Sequence, residues 1–196
     1  MALQSWVNLL NQGVPWQTTA GTALSASATT ATISPQAAGP QDFILPTQSN
    51  GTQWYTGMTL KIESAGTINT GGTASNLTVF LAAGVSATLA TTLSTTAAIA
   101  LGTGALTGLE WTLLATIRCI GTGSSGNTLT TEGDMFIQTS TAGLAIGTAN
   151  TTIAPLPVTS TAFNTYTAAT ALGLRATLSA AFGLVQCNSF QVYQID

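Results

Sequence analysis

Apolar residues at every second position of a glycine-bounded segment constrain the fold of this chain more than any other feature of its sequence. Residues 110–121 read EWTLLATIRCIG, and the alternating apolar positions are Trp111, Leu113, Ala115, Ile117 and Cys119. Successive side chains of a β-strand point to opposite faces, so this pattern predicts a long strand with one face in a core. Leu114 and Ile120 lie among polar residues at the other positions, which predicts that the second face is half covered.

The same alternation recurs in shorter segments along the chain. It places these residues on one face of their strands: Met58, Leu60, Ile62, Leu77, Val79, Leu81, Leu172, Leu174, Ala176, Leu178, Phe190 and Val192. The intervening positions, among them Lys61, Glu63, Arg175 and Tyr193, point the other way. A further strand is predicted at residues 162–171, whereas residues 18–33 fit either a flat strand or an extended linker.

These segments predict about eight to ten short strands separated by turn signals, with no long helical pattern. The many threonines agree with this, because β-branched side chains pack well on a pleated surface. Residues 81–109 carry no charge and are long enough to span a bilayer, but Thr, Ser and Gly crowd them, so strands and turns are expected there. The predicted fold is all-β: an antiparallel β-sandwich, jelly-roll-like, with a short N-terminal helix or arm.

The first residues follow a different pattern. Leu3, Trp6, Val7 and Leu10 fall at helical spacing, and Gly13 and Pro15 then stop the pattern. Residues 1–20 are therefore predicted to form an arm or short amphipathic helix, and residues 21–196 the sandwich domain. A helix this short is marginal alone in water, so its apolar stripe is expected to dock. Its own domain and a neighbouring subunit or larger assembly are both open as the partner.

Charge is scarce: the 196 residues include three basic and six acidic side chains and no histidine. Charges keep soluble monomers apart and histidine is the usual proton shuttle, so a free-standing enzyme is not expected. The three cations are too few and too scattered to bind nucleic acid or an anionic membrane. The start, MALQSWVNLL, shows no export signal, so a protein made and kept in a cytoplasm and used in assembled form is expected.

The residues that could carry chemistry are few. Without histidine, Ser-His and Cys-His catalytic arrangements and a Cys/His zinc site are excluded, and no metal or cofactor is expected. Cys119 and Cys187 are expected to be buried free thiols. Trp54 and Tyr55 fit either a sugar-stacking platform or sandwich core.

Glu132 and Asp134 form the one acidic constellation, placed on the same face of a predicted strand or at a turn. Three interpretations are open. The carboxylates are a solvated pair or partners of Arg118 or Arg175, they belong to a hard-cation site, or they serve glycoside hydrolysis.

Three segments together, residues 110–127, 128–139 and 174–196, resemble the jelly-roll structural proteins of tailed-bacteriophage virions. The likeness lies in a tryptophan-led strand with an arginine before a glycine-rich turn, followed by a late pair of strands joined through small residues and an asparagine. It implies a non-enzymatic virion protein, commonly trimeric, that decorates or cements the capsid or sits in a fibre or tail.

The expectation that follows is a homotrimer on the capsid surface, assembled in the host cytoplasm and bound to the major capsid protein or another virion protein. The alternative is a receptor- or glycan-binding module of a phage tail or fibre, with Trp54 and Tyr55 carrying the contact.

Overall fold

The structure is a computed structural model that describes residues 21–25, 30–34, 44–45, 55–85, 88–102, 104–122, 127–138, 151–163, 170–180 and 183–195. The described part of the chain contains no helix with the length and hydropathy of a membrane span. Its strands are β1 (Ala31–Thr32), β2 (Ile44–Leu45), β3 (Thr59–Asn69), β4 (Ser75–Val85), β5 (Thr88–Thr95), β6 (Ile99–Leu101), β7 (Leu109–Gly121), β8 (Asn127–Gln138), β9 (Thr151–Phe163), β10 (Thr170–Leu178) and β11 (Leu184–Gln194).

The strands form two antiparallel sheets that pack on one another, so the predicted antiparallel β-sandwich is confirmed. A five-stranded sheet has the order β11-β3-β7-β8-β9. A six-stranded sheet has the order β1-β10-β4-β5, with β2 also paired to β10 and β6 to β4. The chain crosses between the sheets after β2, β3, β6, β9 and β10, and this alternation makes the sandwich jelly-roll-like.

Alternation along each strand builds the core between the sheets. In β3 every second residue is buried, and the register sets Leu60 beside Ile117 and Ile62 beside Ala115 of β7. The six-stranded sheet contributes the facing layer, in which Leu174 lies beside Leu81. The inward positions predicted from the sequence in β3, β4, β7, β10 and β11 are all confirmed as buried.

Contacts on both open sides of the sandwich tie its two sheets together. On one side Leu24 bridges Val185 of β11, and β1 pairs with β10, so the segment predicted as strand or linker touches both sheets. On the other side Ser94 Oγ of β5 donates a hydrogen bond to the Pro157 carbonyl of β9 at 3.0 Å. Both sheets therefore gain contacts across their edges.

β9 is a 13-residue strand that the sequence pattern did not predict. Pro155 and Pro157 interrupt the hydrophobic pattern, and proline lacks the amide hydrogen that an interior strand donates. β9 holds them because it is the edge strand of the five-stranded sheet. Of the strand predicted at residues 162–171, the described ends belong to β9 and β10, and residues 164–169 lie outside the described residues.

The predicted arm of residues 1–20, with its apolar stripe Leu3, Trp6, Val7 and Leu10, also lies outside the described residues.

Candidate functional site

The outward side of the five-stranded sheet collects most of the charges of the protein. The charged side chains on it are Lys61, Glu63, Glu110, Arg118, Glu132 and Asp134. Each follows from strand alternation, because its neighbours before and after point into the core. Among the charged residues that the structure describes, Arg175 alone belongs to the other sheet. We call the outward side of β11, β3, β7, β8 and β9 the charged face.

The charged face also carries large apolar side chains in contact with solvent. Their exposed fractions are Leu114 39%, Ile120 48%, Ile153 58%, Val158 67% and Ile195 56%. The sequence pattern predicted that the second face of β7 is half covered. Leu114 and Ile120 are each partly covered and partly exposed, which agrees with that prediction.

The strand register arranges the charges in rows across the face. Lys61 on β3 and Glu132 on β8 are both paired with Thr116 of the central strand β7. In the next row Glu63 and Asp134 both pair with Leu114. Strands in a sheet are about 4.8 Å apart, so Lys61 and Glu132 stand about 10 Å apart on either side of β7.

Among the described residues the one ion pair joins Lys61 Nζ to Glu63 Oε1 at 2.6 Å. The hydrogen bond to Glu63, together with the charge of Glu63, raises the pKa of Lys61. Beside this pair the Tyr193 hydroxyl donates to Gln191 Oε1, and partial burial followed by the Glu63 charge raises the pKa of Tyr193. An exposed ion pair of this kind adds little to stability.

Glu132 and Asp134 lie on one face of β8, so their predicted placement on a common strand face is confirmed. Gly133 between them points inward, where an added Cβ would lie 2.4 Å from the Leu114 carbonyl oxygen and 2.7 Å from Ala115 Cα. Packing against β7 thus accounts for the glycine in this motif.

The first interpretation of this pair offered two possibilities, solvated carboxylates or partners of an arginine, and the structure excludes the second of them. All four residues belong to the described part of the chain, and neither Arg118 nor Arg175 forms an ion pair with Glu132 or Asp134. Arg175 Nη1 instead donates to the Leu89 carbonyl at 3.1 Å on the six-stranded sheet. No cluster of three or more His, Cys, Asp or Glu side chains that could hold a metal ion occurs within the described ranges.

A shallow groove of about 610 Å³ runs over the middle of the charged face. Its apolar wall is formed by Leu114, Pro155, Val158 and Ile195, and its charged lining by Lys61, Glu132 and Asp134. The groove therefore combines apolar surface with side chains of both signs of charge. The sequence pattern had placed Lys61 and Leu114 on the strand faces opposite the core, but Val158 follows the prolines of β9 and gave no strand signal.

Both cysteines are free and buried, so the prediction of two buried free thiols is confirmed. The Cys187 sulfur lies 3.2 Å from Ser64 Oγ, and burial raises the pKa of Cys187 to about 11. Burial also raises the pKa of Cys119, whose sulfur donates to the Gly121 carbonyl. The reactive species of cysteine is the thiolate, and a raised pKa leaves little thiolate at neutral pH. Both side chains are therefore expected to react slowly.

We expect an aromatic disulfide reagent to leave both thiols of the native protein unmodified at pH 8. At that pH the thiolate fraction is small because both pKa values are raised, and burial blocks access. The reagent should titrate two thiols per chain once guanidinium chloride unfolds the protein. Rapid modification of one thiol in the native state would contradict the burial of that cysteine.

Trp54 lies outside the described residues, and Tyr55 is exposed ahead of β3. The two interpretations of this aromatic pair therefore stand as predictions.

Fold and face together define an all-β sandwich in which one sheet surface carries both charged and exposed apolar side chains. No protein-family model, curated protein or solved structure matches this chain.

Proposed function

We propose that this protein is a non-enzymatic structural protein of a bacteriophage virion, which decorates or cements the capsid as a homotrimer. The observation that carries the proposal is the charged face. One sheet surface gathers five exposed aliphatic side chains and six charges, while the other described surface is built almost entirely from uncharged residues. The bacteriophage assignment is supported by the resemblance of residues 110–196 to jelly-roll virion proteins.

The mechanism of such a protein is mechanical. Covering apolar surface contributes about 25 cal/mol for each Å² removed from water, before the cost of association. A subunit that bridges neighbouring shell subunits then favours the closed shell by mass action. Its partners are further copies of itself and the major capsid protein or another virion protein, and its place is the capsid surface.

Sedimentation equilibrium of the purified protein at micromolar concentration tests the assembly part of this proposal. We expect a trimer, and a stable monomer would overturn it. Cryo-electron microscopy of the phage particle that carries this chain tests the location. Two-sheet density on the head supports the proposal, whereas density at the tail tip or in a fibre favours the receptor- or glycan-binding alternative.

Deleting residues 1–13 is expected to leave the sandwich folded and to weaken trimer formation or capsid attachment. The described strands bury a continuous core by themselves, while the deleted stripe of Leu3, Trp6, Val7 and Leu10 is proposed to bind a neighbouring subunit. Circular dichroism and thermal melting report the fold, and sedimentation reports the assembly. Loss of the folded state in the truncated protein would show that the stripe belongs to the core of its own domain.

A further inference from the structure

We infer that the charged face is the interface between copies of this chain, arranged about a rotation axis parallel to the central strand β7. In this arrangement Lys61 of one copy meets Glu132 of the next. The inference rests on the proposed self-association and names the surface and the contacts that produce it.

The register of the sheet is the first support. Lys61 and Glu132 lie at the same level along β7, because both pair with Thr116, and they lie on opposite sides of it. Rotation about an axis parallel to β7 keeps every residue at its own level. The β3 side of one copy then faces the β8 side of its neighbour, and opposite charges meet at one height. This holds for a three-fold axis as well as for a two-fold axis.

The Lys61 ammonium has enough donors for both contacts. It carries three hydrogens, one of which serves Glu63 within the same copy. A second hydrogen is free for Glu132 of the neighbouring copy. Within one copy the same two residues are separated by two strand spacings, about 10 Å, and form no ion pair.

The apolar side chains of the face are the second support. Leu114 stands on the central strand, Ile195 beside β3 at one side, and Val158 on β9 at the other. An axis along β7 brings the side that carries Ile195 toward the side that carries Val158 of the next copy. Both side chains are more than half exposed in the single chain, so covering the face removes them from water.

The size of the face agrees with a stable contact. Five strands spaced about 4.8 Å apart and about 36 Å long give roughly 900 Å² of surface. A standard protein interface takes about 800 Å² from each partner, which the whole face supplies about a two-fold axis. About a three-fold axis the same area is divided between two neighbours.

The arrangement also brings like charges to the same level. Arg118 and Glu110 lie on β7, so each of them faces its own counterpart in the next copy. A further pair of like charges comes from β3 and β8. Glu63 and Asp134 both pair with Leu114, so Glu63 of one copy faces Asp134 of the next. This approach costs binding energy, and its removal should strengthen the contact.

Charge reversal tests the inference in the full-length protein. We expect Lys61→Glu and Glu132→Lys each to raise the dissociation constant of self-association about tenfold or more, since each creates a like-charge contact. The double variant should return to within about threefold of the starting protein, because it restores opposite charges. Asp134→Asn should lower the dissociation constant. Sedimentation equilibrium measures all four, and circular dichroism checks their folding.

Asn76 provides the matched control. It is exposed on the outward side of β4 in the six-stranded sheet, so Asn76→Glu and Asn76→Lys change the net charge away from the charged face. Both should leave self-association unchanged.

The outcomes separate the two proposals. A monomeric starting protein overturns the proposed assembly and this interface together. Three results would contradict the interface while leaving the assembly intact. They are a dissociation constant that neither single reversal changes, no recovery in the double variant, and a higher dissociation constant for Asp134→Asn.

Discussion

Replacing Trp111 with alanine is expected to lower the free energy of unfolding by about 3–5 kcal/mol. Trp111 is 1% exposed and is the largest fully buried side chain among the described residues. It points inward from the central strand of the five-stranded sheet, so alanine leaves a cavity between two sheets that are held apart by their other side chains. Denaturation by urea, followed by far-ultraviolet circular dichroism, measures the loss.

Trp111→Phe is the control that separates packing from hydrogen bonding. The Trp111 Nε1–H is buried and has no hydrogen-bond partner among the described residues. Trp111→Phe removes this unsatisfied donor and keeps most of the ring volume. Its free energy of unfolding should therefore fall much less than that of the Trp111→Ala variant. Equal losses for the two variants would show that the indole N–H, rather than the ring volume, stabilises the core.

Replacing Gly66 with alanine is expected to destabilise the sandwich by about 3 kcal/mol, at the upper end of the usual cost of overpacking. An added Cβ would lie 2.0 Å from the Gln186 carbonyl oxygen and 2.5 Å from Trp111 Cζ2. The oxygen belongs to the backbone of β11 and the ring is fully buried, so neither can move aside without a large loss of stability. The methyl group therefore pushes β11 and the ring of Trp111 out of place.

Gly72→Ala is the matched control for this prediction. Gly72 has open space where its Cβ would stand, so the change should alter stability by less than about 0.5 kcal/mol. Urea denaturation of the two variants side by side gives the comparison. If Gly66→Ala proved as mild as Gly72→Ala, the close approach of Trp111 and β11 to Gly66 would be wrong.

Side-chain direction in most strands was predictable because it depends on neighbours in the chain. The pattern around Lys61 placed Leu60 and Ile62 on one face and Lys61 on the other, and burial confirms both. Arg175 was placed outward in the same way. Alternation is a local property of an extended backbone, so a sequence shows it directly.

β9 was not predictable from the same signal. Pro155 and Pro157 are acceptable there only because the strand lies at a sheet edge, which is a property of the assembled sheet. Gly133 gives a second example. Because Gly133 lies between two acids, the sequence suggested a role in a carboxylate site. The strand register shows instead that a side chain at this position would clash with Ala115, which lies directly opposite.

The sequence by itself determined that this is an all-β protein with few charges and no histidine. Composition and the two-residue alternation of apolar and polar side chains can be read from each segment separately. The meeting of Lys61, Glu132 and Val158 on one face arose from the pairing of β3, β7, β8 and β9. Which strands pair depends on how segments that are far apart in the chain bury their apolar sides together. A surface built from several strands therefore exists only once the sheet has formed.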